Sequence, residues 1–190
     1  MLEQLLELAP SGSEGARLAS YHLSRLIVGS QPWRSARLAR ELLSDPAVRR
    51  GEGPATDQLW AVLGVAHTVM GNYHSARRAQ LRALELAPHA PSHLHNLGHL
   101  VDVAFEQPRE ALRYLRAAHE AVPEEPEIAS SYAHALVRAG FVELAREVLG
   151  ATFAPDLAES FIARWAGPDV SAGKEAPDAD GVSALEAAEA

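Results

Sequence analysis

Residues 57–88, DQLWAVLGVAHTVMGNYHSARRAQLRALELAP, carry two amphipathic stretches on either side of a short break around Gly71 and Tyr73. Apolar residues recur in both at helical spacing, and a related pattern returns about one period further along. A pair of helices this short cannot bury its apolar face alone. The rest of the chain must therefore supply elements that stack against it. Composition points the same way: of 190 residues 47% are apolar but only 6% aromatic, the bulk being Ala and Leu, which favours helix over sheet. No long β-branched alternating runs occur, and the class expected is all-α.

Upstream, residues 1–9 place Leu2, Leu5, Leu6 and Ala9 on one helical face before Pro10 breaks the pattern. The fragment LLELAP at 5–10 is close to ALELAP at 83–88. It reads either as the second helix of a unit whose first helix is missing or as a simple capping helix. Ser13-Glu14 opens a helix to about Val28, with Leu18, Tyr21, His22, Leu23, Leu26 and Ile27 as a broad apolar face. Gly29 to Pro32 breaks it, and Trp33, Ala36, Leu38, Ala39, Leu42 and Leu43 mark a second helix that stops at Asp45-Pro46. Residues 45–56, DPAVRRGEGPAT, form a Gly/Pro-rich connection, and Thr56 or Asp57 caps the next helix.

Within 57–88 the order is Trp60, Leu63-Gly64, His67, then Ala76, Ala83 and Pro88. This resembles the tetratricopeptide repeat, with His67 in place of its tyrosine and Gln80 in place of its aromatic. Gly64 and Ala76 are small where the two helices of a hairpin approach. A second unit from Pro91 carries Leu94, Leu97-Gly98, Ala111, Ala118 and Pro123, with one residue inserted near Glu106 to Pro108. A third from Pro126 keeps Ala129, Tyr132-Ala133, Gly140 and Ala145, then degrades at Thr152 and Leu157. Residues 156–166 read as a capping helix, with Leu157, Phe161, Ile162 and Trp165 facing inward. The resemblance implies a right-handed superhelical solenoid of antiparallel helix hairpins. Its parts would be 1–12 as a half-unit, 13–50 as a degenerate hairpin, 51–56 as a linker, 57–90 and 91–125 as full units, 126–155 as a partial one, and 156–166 as the cap.

Residues 167–190 hold six acids against the single base Lys174, so they carry −5 of the formal charge of −8. They read as a disordered acidic tail, whose last stretch, 182–190, has helix propensity. A mildly acidic body with such a tail argues against a nucleic-acid partner, which needs a basic face. The arginine stripes Arg77, Arg78, Arg82 and Arg109, Arg113, Arg116 read as solvated helix faces, and Trp33, Trp60 and Trp165 as packing residues. The absence of cysteine removes disulfides, zinc–thiolate sites and cysteine nucleophiles. No signal-peptide pattern or membrane-length apolar run is evident, so a soluble cytoplasmic protein is expected.

The nine histidines are the main chemical temptation. His95 and His99 share a helical face, with His93 and His89 beside them, and that spacing can chelate a metal. No HExxH, nucleophile elbow, P-loop or dinucleotide motif accompanies them, and no carboxylate cluster does. The expectation is a non-enzymatic interaction module without cofactor, with a histidine-based metal-binding protein or enzyme as the alternative. By resemblance, the first helix of each hairpin lines a concave groove. This places Gln58, Ala61, Val65, Thr68 and Val69 there, then Ser92, His95, His99, Asp102 and Val103, then Glu127, Ser130, His134, Val137 and Arg138. The partner-binding groove expected is Val65, Thr68, Val69, His95, His99, Asp102, His134, Val137 and Arg138, receiving a protein or peptide. If His95, His99 and His134 contact that partner, binding is expected to depend on pH near neutrality. The family's carboxylate clamp is absent: Asn96 fits one of its places, but Ala61, Val65, Glu127 and Ser131 occupy the others. Self-association through an apolar face left by the missing first helix is a further expectation.

Overall fold

A computed structural model describes residue 10 and residues 12–166 of the chain. The helix expected at 1–9 and the tail expected at 167–190 lie outside these residues. Ten helices and no strand occur among the described residues. They are α1 (Glu14–Ile27), α2 (Pro32–Ser44), the single turn α3 (Pro46–Arg49), α4 (Thr56–Val69), α5 (Tyr73–Leu86), α6 (Pro91–Val103), α7 (Pro108–Ala121), α8 (Pro126–Ala139), α9 (Val142–Thr152) and α10 (Pro155–Ala166).

The starts and stops have local causes. Proline opens α2, α3, α6, α7 and α8, where its missing N–H would have no partner in the helix. Ser13 caps α1 by accepting the Ala16 N–H. After α4 and α8 the chain turns through Gly71 (φ 74°) and Gly140 (φ 95°), a backbone region open to glycine without steric cost. The α6–α7 turn contains the extra residue noted in the sequence, and there Glu106 adopts φ 55° instead.

Packing follows chain order. α1–α2, α4–α5, α6–α7 and α8–α9 are contacting pairs, and α2–α4, α5–α6 and α7–α8 join each pair to the next. The leading helices α1, α4, α6 and α8 also touch in sequence, and α10 packs on both α8 and α9. Two apolar cores result. One gathers Tyr21, Ala36, Leu42, Val48, Leu59 and Leu63, and the other Leu97, Val101, Leu112, Leu115, Tyr132, Leu136 and Leu149.

The small residues sit where close approach requires them. A Cβ built on Gly64 would lie 2.5 Å from Gln80 Nε2, and one on Gly98 would lie 2.6 Å from Leu115 Cγ. Ala76, Ala83, Ala111 and Ala118 are fully buried. Gln80, standing where the resembling family has an aromatic, fills the gap and donates to the Ala61 carbonyl (3.2 Å), so its amide nitrogen is satisfied in the core.

Four sequence expectations change. On α1, Leu18, His22 and Leu26 are exposed, Leu26 to 73%, because α2 and α4 cover the Tyr21–Ser24–Ile27 side instead. Trp33 is 62% exposed at the start of α2 and is not a core residue. In α10, Ile162 is buried and Phe161 and Trp165 pack on the second core, but Leu157 is 43% exposed on the outer side of the helix. The 45–56 connection is also more built than its Gly/Pro content suggests. Asp45 caps α3 through the Ala47 N–H (2.8 Å), Val48 enters the first core, and buried Arg17 reaches toward Asp45 (3.9 Å) and Glu52 (3.8 Å) while donating to the Gly12 carbonyl (2.6 Å).

Candidate functional site

The leading helices form one face with two distinct regions. The first is a cleft of about 320 Å³ between α1, α4 and α6. Spacing explains who lines it. Tyr21 and Arg25 stand at i, i+4 on α1 with Val28 at its C-cap, and Gln58, Ala61, Val62 and Val65 at i, i+3, i+4, i+7 on α4. From the α6 side come Ala90, Ser92, His93 and Asn96. Its apolar floor is thus made of small aliphatic side chains, and its rim is polar.

That rim is held in place by bonds between helices. Tyr21 donates its hydroxyl to Gln58 Oε1 (2.6 Å), tying α1 to α4, and the Arg25 guanidinium lies 5.6 Å from the Tyr21 ring centre. His93 is 4% exposed, with Nε2 3.0 Å from Asp57 Oδ2, tying α6 to α4. His93 Nδ1, on the other side of the ring, is buried with no hydrogen-bond partner. Arg25 has no carboxylate partner among the described residues.

The second region lies between α6 and α8. The Asp102 side chain is 1% exposed, yet it is anchored twice: His134 Nδ1 lies 2.6 Å from Oδ2, and Arg138 Nη1 donates to Oδ1 (2.9 Å) and to the Asp102 carbonyl (2.6 Å). His95, 9% exposed, pairs its Nε2 with Ser131 Oγ at 2.9 Å. The His134 ring meets Trp165 edge-on at 5.3 Å, and Trp165 stacks on Phe161 at 5.1 Å, so α10 closes this end.

The nine residues expected in the groove are divided by these contacts. Val65 lines the cleft, accompanied by Gln58, Ala61 and Ser92 from the wider expected set. Thr68 turns its hydroxyl back onto the Gly64 carbonyl (3.1 Å), and Val69 is exposed. His95, Asp102 and Val137 are buried, and His134 and Arg138 spend polar atoms on Asp102. His99 and His134 keep part of their surface open on this side, His134 26% of its side chain. Sequence reasoning did not find Tyr21, Arg25, Val28, His93 or Asn96 as cleft residues. For α1 the periodicity of 21, 25 and 28 was a usable signal, but the first hairpin matches the later ones too loosely to index its positions.

Burial sets the histidine chemistry. The pKa values of His67, His95, His99 and His119 are all lowered from the usual 6.5, with loss of hydration the largest cause in each. Arg40 and Arg78 add to it at His67. Glu127 opposes it at His95, as does Asp102 at His99. The folded state therefore favours neutral imidazoles, and below about pH 6.5 the unfolded chain binds more protons. Stability from these groups is complete above the unfolded value and is lost as pH falls toward the depressed folded values. The urea midpoint is expected to be flat near neutrality and to fall between about pH 6.5 and pH 5, with a shallower fall in His95→Gln/His99→Gln. A midpoint that rises on acidification in that window contradicts the assignment.

Among the described residues no group of three or more His, Cys, Asp or Glu side chains is placed to hold a metal ion. No helix among them is long and apolar enough to cross a membrane. Compared with protein-family models and with curated proteins, the sequence matches none.

Proposed function

We propose that this chain is a tetratricopeptide-like solenoid acting as a non-enzymatic binding module, and that it receives an extended peptide segment in the cleft between α1, α4 and α6. The observation carrying this reading is the cleft's make-up: a floor of small aliphatic side chains inside a rim of donors and acceptors already fixed by bonds between helices. Peptide recognition uses that combination, with pockets reading side chains and polar groups meeting the backbone. Pre-fixed rim groups also lower the ordering cost of binding. The polar network around Asp102 serves the same module as a brace between α6 and α8, since its polar groups face one another.

The test is selection of binders from a random displayed-peptide library against the full chain, followed by affinities for two variants. Val65→Arg fills the cleft and is expected to weaken the selected peptides at least about tenfold, a loss of about 1.4 kcal/mol. Val103→Arg lies at an exposed position outside the cleft and is expected to leave them unchanged. Equal affinities in the native chain and Val65→Arg, with the fold intact, would overturn the proposal.

A further inference from the structure

Charge is distributed unevenly along the chain. Residues 12–90 hold ten arginines against six acidic residues, whereas 91–166 hold six arginines against eleven. The cleft belongs mainly to the positive half. Its rim carries Arg25, a cation without a carboxylate partner among the described residues, beside a floor that includes Ala61 and Val65. Asp57 also lines the cleft, but its carboxylate is engaged with His93 Nε2 at 3.0 Å. An occupant that satisfies Arg25 and covers this floor has small apolar side chains and at least one carboxylate.

One segment of the chain itself has that composition. Residues 182–190, VSALEAAEA, set Val182, Ala184, Leu185, Ala187 and Ala188 around Glu186 and Glu189, with no proline, glycine or base. The intervening residues 167–181 contain proline, glycine and all three of the tail's aspartates, and suit a connector. Reach is sufficient. From α10 the leading helices run α8, α6, α4, three steps of roughly 8–10 Å each, or about 30 Å. Fifteen connecting residues span up to about 50 Å.

We infer that the cleft is a docking site for the chain's own segment 182–190 within the same molecule, with Glu186 or Glu189 paired to Arg25 and the small apolar side chains on the Ala61–Val65 floor. This rests on the reading of the cleft as a peptide site and makes the tail a built-in competitor of outside partners. A competitor tethered at high local concentration lowers apparent affinity by the fraction of time the site is filled. The contact is electrostatic in part, so it weakens as salt rises.

The full chain has no cysteine, which permits a single spin label at Ala187→Cys. In a sample isotopically labelled on the same molecule, the nitroxide is expected to remove more than half of the amide intensity at Ala61, Val65 and Asn96. Amides on the outer helices α5 and α7 keep theirs. Arg25→Glu abolishes the cleft effect, and adding Glu186→Arg and Glu189→Arg restores it, with unchanged spectra elsewhere reporting an intact fold. Native cleft intensities, broadening only when labelled and unlabelled molecules are mixed, or cleft broadening from a label at Glu3→Cys instead would each overturn the inference. A separate readout keeps the two proposals distinguishable. Glu186→Arg/Glu189→Arg in the full chain is expected to bind the selected peptides several-fold more tightly. If the label shows no docking while Val65→Arg still abolishes peptide binding, the tail is excluded and the binding function stands.

Discussion

Replacing Asp102 with alanine is expected to lower the free energy of unfolding by about 3 kcal/mol, at the lower end of the range for breaking a buried ion pair. Its carboxylate is 1% exposed and meets His134 and Arg138 from the following hairpin. The alanine variant leaves both partners unmatched. They retain 26% and 29% exposure, so water recovers part of the loss, which is why the upper end is not expected. Asp102→Asn keeps an acceptor for Arg138 but loses the charge, and falls between the two. Because Arg138 also donates to the Asp102 carbonyl, Arg138→Ala alone is costly. The double variant Asp102→Ala/Arg138→Ala is expected to cost less than the sum of the singles, the signature of a shared interaction. Urea denaturation of the native chain and the four variants measures this. A cost below 1 kcal/mol for Asp102→Ala would mean that the network does not brace α6 against α8.

The second large effect is at the α6–α7 contact. Leu115 is fully buried, and Leu115→Ala is expected to cost roughly 2–5 kcal/mol through lost transfer energy and the cavity left behind. Gly98 faces it. Gly98→Ala puts a methyl group 2.6 Å from Leu115 Cγ, 2.9 Å from Cδ2 and 3.2 Å from the Leu115 backbone nitrogen, so the neighbour cannot simply rotate clear. Overpacking of this kind costs about 1–3 kcal/mol, against about 1 kcal/mol gained from replacing glycine inside a helix. The net is destabilising in the native chain. With Leu115→Ala already in place both side-chain clashes are gone and only the 3.2 Å approach to the backbone nitrogen remains, so the same Gly98→Ala change is expected to cost markedly less than in the native chain. Thermal or urea unfolding reads the sign directly. A stabilising Gly98→Ala in the native background would show that the helices part there at little cost.

Much of the architecture was legible because it rests on short-range rules. Proline at helix starts, glycine at the turns after α4 and α8, and small residues at 64, 76, 98, 111 and 118 each record a constraint that operates within one hairpin. The α1 face was misjudged for a related reason. Its apolar residues run wide enough to suggest two possible inner sides, and only the positions of α2 and α4 decide that Leu26 stays outside and Ile27 goes in. Residues 45–56 looked like a plain connection because the packing of Val48 and the reach of Arg17 depend on partners distant in sequence.

The candidate site separates the two kinds of information most clearly. Helical spacing was enough to place His95, His99 and Asp102 on one side of α6, and Gln58, Ala61 and Val65 on one side of α4. It could not say that Asp102 meets His134 and Arg138, that His95 meets Ser131, or that His93 turns to Asp57. A periodic pattern reports which way a side chain leaves its own helix and carries nothing about the register of the neighbour. Adjacent leading helices lie roughly 8–10 Å apart, close enough for polar side chains to bridge the gap and satisfy one another. The sequence by itself determined the helices, their breaks and the inner faces of the later hairpins, but not the inner face of α1. Tertiary structure alone decided which polar residues are consumed in bracing the stack and which, around Arg25 and Asn96, are left to line an open cleft.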